Sequence, residues 1–130
     1  MSEHPNASVL RRAYEAFARQ DAATLGELFA DDVVWHVPGR SALSGDFRGQ
    51  DEVFTYFRNL HEMSGGTFKA ESRDFTASDR HVVSLEHLTA ERDGKTLDIE
   101  LALVVRVRAG QIAEARDFFS DPNAWDEFWA

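Results

Sequence analysis

The hydrophobic period of this chain changes at Ser64-Gly65-Gly66. Before that point apolar residues recur every three to four positions, the spacing that gives a helix one buried stripe. After it they alternate with polar residues, the spacing of a strand with one buried face. The order reads helix, helix, strand, helix, then four antiparallel strands. Three helices must then cover one face of a curved sheet to bury their stripes. Long strands bending around helices leave a conical interior.

Local signals place the elements. Asn6-Ala7-Ser8 can cap a first helix whose stripe is Val9, Leu10, Ala13, Tyr14 and Phe17, with Arg11, Arg12, Glu15 and Arg19 opposite. Asp21 caps a short second helix carrying Leu25, Leu28 and Phe29. β-branched residues and Trp35 mark Val33 to Val37 as strand. Val33, Trp35 and Val37 share one face, Val34 and His36 the other, and Pro38-Gly39 ends the strand. Arg40 to Gly49 reads as loop with a short strand near Phe47. Gln50 to Met63 reads as a third helix with an inward stripe of Val53, Phe54, Phe57, Leu60 and His61. Strands are expected over Thr67 to Ala77, His81 to Arg92, Thr96 to Arg108 and Gln111 to Ser120, with a hairpin signal at Asp93-Gly94. The tail DPNAWDEFWA spaces Trp125, Phe128 and Trp129 for one face of a helical turn.

Composition narrows the function classes. The 130 residues fit one domain, 1–130. Ten Phe, three Trp and two Tyr suffice for a core and for the walls of a hydrophobic pocket. A net charge of -9 repels phosphate backbones, so nucleic acid is not expected as a partner. There is no cysteine, which excludes disulfides, thiolate nucleophiles and Cys-zinc sites. No apolar run approaches ~20 residues, so no membrane span is expected. The N-terminal stretch lacks a signal peptide's apolar core, and a cytoplasmic protein is the expectation.

The segments AYEAFARQDAATLGELFADDVVWHVPG, GDFRGQDEVFTYFRNL, RDGKTLDIELALVVRV and GQIAEARDFFSD, in this order and at this length, resemble a SnoaL-like member of the nuclear transport factor 2-like (ketosteroid isomerase-like) superfamily. The resemblance covers nearly the whole chain. It implies an α+β fold: a cone-shaped α+β barrel with three N-terminal helices packed on a strongly curved, mixed or antiparallel sheet, a cystatin-like architecture. It also implies no metal, no cofactor and a homodimer through the sheet. Residue-level matches are sparser. Where ketosteroid isomerases carry a general-base Asp before the Pro of the first strand, this chain has Val37. Their second Asp falls at Leu103, a Tyr of the third helix at Phe57, and the Tyr of the first helix near Tyr14.

The same matching turns Leu101, Leu103 and Val105 inward, and on the last strand Ala113, Ala115, Asp117 and Phe119. Asp117 is then a carboxyl among aromatic walls, where desolvation raises its pKa and suits it to acid/base work. The competing reading pairs it with Arg116 or Arg106 at the rim, or has it cap a backbone group. Glu86 and His87 must point to opposite faces. Which of them faces the cone depends on a hairpin register left open by the sequence, so His87 is a catalytic candidate conditionally. Tyr14 can polarise a carbonyl or pack in the core with its hydroxyl at the surface. Substrate-binding candidates are Phe17, Trp35, Val37, Phe54 and Phe57, then His61, Leu101, Leu103 and Phe119. Trp125 and Trp129 close the cone or pack on the sheet. His36 belongs to the outer face and Asp31-Asp32 to a solvated junction. No His pair has metal-site spacing, and no Gly-x-Ser-x-Gly elbow exists.

The resulting expectation is a pocket protein for an apolar small molecule, acting as a cofactor-independent isomerase, cyclase or dehydratase by proton transfer. The alternative is a non-catalytic binding or dimerisation module.

Overall fold

The computed structural model describes residues 3–130. Helices α1 (Pro5–Ala18) and α2 (Ala22–Leu28) lead into strand β1 (Phe29–Val37). Strand β2 (Gly45–Arg48) and helix α3 (Gly49–Met63) follow. Then come β3 (Lys69–Ala77), β4 (His81–Arg92), β5 (Lys95–Arg108), β6 (Gln111–Phe119) and helix α4 (Pro122–Trp129). One six-stranded sheet runs β2-β1-β6-β5-β4-β3. Only the β1–β6 pair is parallel among the described strands, so the sheet is mixed. α1 packs on β3, β4 and β6 and α3 on β1, which puts the helices on one face of the curved sheet. The cone-shaped α+β architecture is therefore present, with a fourth helix at its end.

The inner face is built by alternation. β4 buries Val82, Ser84, Glu86, Leu88 and Ala90, and β5 buries Leu97, Ile99, Leu101, Leu103 and Val105. The β4–β5 turn holds Asp93 at φ 51° and Gly94 at φ 76°, the paired left-handed geometry that matches strand twist.

Several element ends differ from expectation, and three differences have a local cause. α1 begins at Pro5, and the His4 ring, at Nδ1, accepts from the Asn6 amide at 3.1 Å. Proline's fixed φ suits the first helical position, so the cap falls before Asn6-Ala7-Ser8. β1 begins at Phe29 and takes in Asp31 and Asp32, which are exposed; Asp32 pairs with Arg108 at 2.6 Å. The tail forms a full helix, capped where Asp121 accepts from the Ala124 amide at 3.0 Å.

α4 is tied down at its C-terminal end and at its middle. Arg92 donates to the Phe128 and Ala130 carbonyls at 3.2 and 3.0 Å, and Lys95 to that of Glu127 at 3.0 Å. These cations satisfy the carbonyls that end a helix. Asp126 accepts from the Arg40 amide at 3.0 Å. Gly39, at φ 107°, lies where a Cβ would run into the Asp126 side chain, so the Val37-Pro38-Gly39 exit requires its glycine. Trp125, Phe128 and Trp129 are thereby held against the end of the cone. No described helix is long and apolar enough to cross a membrane.

Candidate functional site

A cavity of about 70 Å³ lies between the helices and the inner face of the sheet. Its floor follows from strand register. Glu86 on β4 pairs with Leu101 on β5, and Leu101 with Phe119 on β6. Leu103 pairs with Asp117, so both acids share the face that the helices cover. Tyr14 and Phe17 from α1, Trp35 from β1, Tyr56 and Phe57 from α3 and Trp125 from α4 form the walls. The rings lock one another: Phe57 meets Phe17 edge-on at 5.2 Å and Trp35 at 5.1 Å, and Phe119 stacks on Trp125 at 4.2 Å.

Asp117 is 3% exposed. The Trp35 indole nitrogen donates to its Oδ2 at 3.4 Å, while Oδ1 has no partner. Burial pushes its pKa up to about 7, with the Trp35 hydrogen bond pulling the other way. Glu86 is 4% exposed, and the Tyr14 hydroxyl donates to its Oε2. Burial, and then the negative charge of Asp117, push Glu86 up to about 9. Asp117 therefore ionises first and Glu86 holds its proton. Tyr56, fully enclosed, has its hydroxyl pKa raised by burial and by Asp117. The cavity thus pairs a carboxylate with a carboxylic acid a little above neutral pH.

Of the residues singled out from sequence, Tyr14, Phe17, Trp35 and Phe57 line the cavity, with Leu101, Leu103, Asp117 and Phe119. Four others do not. His87 is corrected to the outer face, where its Nε2 lies 2.6 Å from Asp98 and its Nδ1 3.1 Å from Arg73. The β4–β5 register turns Glu86 inward, and period two then sends His87 outward. Val37 is buried beyond the cavity, at the β1–β2 end opposite Gly45. Phe54 packs on Phe29 at 5.7 Å instead of reaching the cavity. His61 is exposed near Gln20, because α3 buries Val53, Tyr56 and Leu60, a stripe that leaves His61 outside. The rim reading of Asp117 is also corrected: among the described residues its side chain bonds Trp35 and no arginine. His36 does lie on the outer face, its ring nitrogens 2.7 Å from Asp46 and 2.8 Å from Glu114.

Sequence reasoning missed Tyr56 and left Glu86 undecided. A stripe drawn through Val53, Tyr56 and Leu60 was available at helical spacing. For Glu86, the Asp93-Gly94 turn, taken as a two-residue hairpin, counts back to the observed register. Among the described residues no group of three His, Asp or Glu gathers as a metal site.

The comparisons with known proteins agree with this fold. An uncharacterized protein of Mycobacterium tuberculosis is 37% identical over 131 residues, spanning all of both chains. The solved structure of Bal32a, from a soil-derived mobile gene cassette, is 41% identical, covers 97% of each chain and superimposes with a TM-score of 0.94. TerC, solved with polyporic acid, is 21% identical, covers 96% of this chain and 98% of its own, and has a TM-score of 0.84, a likeness of fold alone. The SnoaL-like domain matches residues 10–115, a span that ends two positions before Asp117. With the domain match covering most of its length, the chain belongs to the SnoaL-like family.

Proposed function

We propose that the protein is a cofactor-independent enzyme that moves a proton within an apolar, carbonyl-bearing small molecule: an isomerase, cyclase or dehydratase. The carrying observation is the pair of buried acids, Asp117 and Glu86, on the floor of one aromatic cavity. Asp117 acts as general base. Its carboxylate takes a proton from the carbon next to the carbonyl, and the C–H electrons move into an enolate. The Glu86 acid proton, on a carboxyl held by the Tyr14 hydroxyl, supplies a hydrogen bond to the forming oxyanion, where a low-dielectric surrounding makes it most effective. Return of the proton from Asp117 to another carbon isomerises the substrate. Attack of the enolate on a second carbonyl carbon closes a ring as that C=O π bond opens to an alkoxide, which takes the proton back from Asp117; alternatively, a β-hydroxyl takes that proton from Asp117 and leaves as water while the enolate electrons form the C=C bond.

The ligand-binding reading is favoured by Val37 and Leu103, which stand where ketosteroid isomerases carry acids. Exchange of the carbon-bound protons of cyclohexenone in heavy water at pH 8, followed by proton NMR, separates the two. The enzyme reading expects acceleration by the parent protein and none by Asp117→Asn. Equal acceleration by both would remove Asp117 from the chemistry, and no acceleration by either would leave a binding module.

The same proposal places a second copy of the chain on the outer face of the sheet, where Leu85 and Phe118 are half exposed.

A further inference from the structure

On the outer face of the sheet, His36 stands between two carboxyl groups. Its Nδ1 lies 2.7 Å from Asp46 on β2 and its Nε2 2.8 Å from Glu114 on β6. A neutral imidazole donates from one nitrogen only, so the ring serves both acids as an imidazolium. Hydrogen bonds from His36 hold both carboxyls below their ordinary pKa. Three arginines frame the group. Arg48 is 3.9 Å from Asp46, Arg106 is 3.6 Å from Glu114, and Arg116 stands opposite His36 in register.

The position of this group matters for the cavity. β1 and β6 shift register between Phe29 and Val34. Regular pairing then joins Val34 to Glu114, Trp35 to Ala115 and His36 to Arg116. Along that short ladder, alternation sends His36 outward and Trp35 inward. The His36–Glu114 link therefore crosses from β1 to β6 on the outside, over the rungs where the Trp35 indole reaches Asp117 Oδ2 on the inside. The inner bond is already 3.4 Å long, so a slip of ~0.3 Å between the strands abolishes it. It is also the interaction that pulls the Asp117 pKa down against burial.

We propose that His36 is a positioning residue: its bond to Glu114 fixes β1 against β6 from outside and so holds the Trp35 indole on the Asp117 carboxylate inside. Its bearing on catalysis rests on the reading of Asp117 as general base. Through Trp35, the outer link favours the ionised form of Asp117, the form that takes the proton.

Glu114→Ala tests this, because two effects then have opposite signs. The Glu114 side chain is 39% exposed, so its truncation leaves the core untouched. Removing a nearby negative charge lowers the Asp117 pKa by simple electrostatics, whereas releasing Trp35 raises it. The Asp117 carboxyl carbon, assigned with Asp117→Asn, is followed by carbon NMR through its titration. The parent midpoint is expected near 7. That of Glu114→Ala is expected higher by about 0.5 to 1, the effect of one hydrogen bond. In a Trp35→Phe background the same substitution should no longer raise the midpoint. A midpoint in Glu114→Ala at or below the parent value overturns the positioning role. So does a rise that persists without the Trp35 indole. Failure of the base reading looks different: the carboxyl midpoint moves while cyclohexenone exchange is absent or keeps its parent pH profile. That result spares the link from His36 to Trp35 and removes its catalytic meaning.

Discussion

The Tyr14 hydroxyl on α1 donates to the Glu86 carboxyl on β4, across 72 positions of sequence and inside the cavity. The contact fastens a helix to the sheet floor and orients the acid proposed to face the oxyanion. Tyr14→Phe keeps the ring, which also leans on Phe75 at 5.9 Å, and removes the donor. The cost of stripping a partner from a buried carboxyl is about 1–3 kcal/mol, read as a lower urea midpoint. Cyclohexenone exchange should fall, by less than the roughly hundredfold of an oxyanion donor removed outright, because Glu86 keeps its proton and loses the group that orients it. Unchanged stability and exchange in this variant would leave the contact without either role.

Asp117 is expected to weaken the fold as pH rises. Its folded pKa of about 7 lies above the unfolded value, so the native state binds the proton more tightly. Stability is then fully present at pH below ~4 and is lost as pH climbs through 7. A shift of this size corresponds to roughly 4 kcal/mol at pH 8. Asp117→Asn removes the ionisation, so the variant should gain on its parent between pH 4 and pH 8. Urea unfolding at the two pH values measures the gain. A constant difference between the proteins would mean that Asp117 is not held protonated by burial.

The two acids should also divide a pH–rate profile. Exchange requires Asp117 ionised and Glu86 protonated, giving a rise near 7 and a fall near 9. The upper value contains the Asp117 charge, so the limbs belong to the pair. Glu86→Gln keeps a neutral donor that does not titrate. Its profile should retain the rise near 7 and lose the fall near 9. A fall that persists in Glu86→Gln assigns the alkaline limb to another group.

Much of this site is legible in sequence where a single period decides. Asp117 and Phe119 share a face with Ala115 by alternation, and β6 keeps that alternation through the cavity. The Asp21 cap and the Asp93-Gly94 turn are local chemistry, and both are present. Legibility fails where two elements must agree. Glu86 or His87 faces inward according to a pairing with Leu101, which neither strand encodes alone and which only the length of the turn between them carries. The α3 stripe offered two adjacent readings through Phe57 or Tyr56, and packing brought both rings to the cavity while leaving His61 in solvent. Sequence alone does not separate the two roles of Trp125, because its stacking on Phe119 depends on how α4 folds back.

Phe118 and Asp117 are neighbours in sequence and face opposite sides of the sheet, which lets the proposed dimer be tested without touching the cavity. Leu85 is 50% and Phe118 51% exposed, and Ala102 lies between them in register. Val83 and Val104 pair in the row alongside, so the apolar surface is continuous across three strands. Arg116 and Glu100 flank it on the same face, a mixed rim that suits a self-complementary contact between two copies. The parent protein is expected to sediment as a dimer at micromolar concentration, with a melting temperature that rises with concentration. Phe118→Glu would set like charges against each other across a twofold contact. It should sediment as a monomer and keep cyclohexenone exchange, unless the partner shapes the cavity. A parent protein that stays monomeric at high concentration rules the sheet dimer out. A dimer indifferent to Phe118→Glu moves the interface to another face.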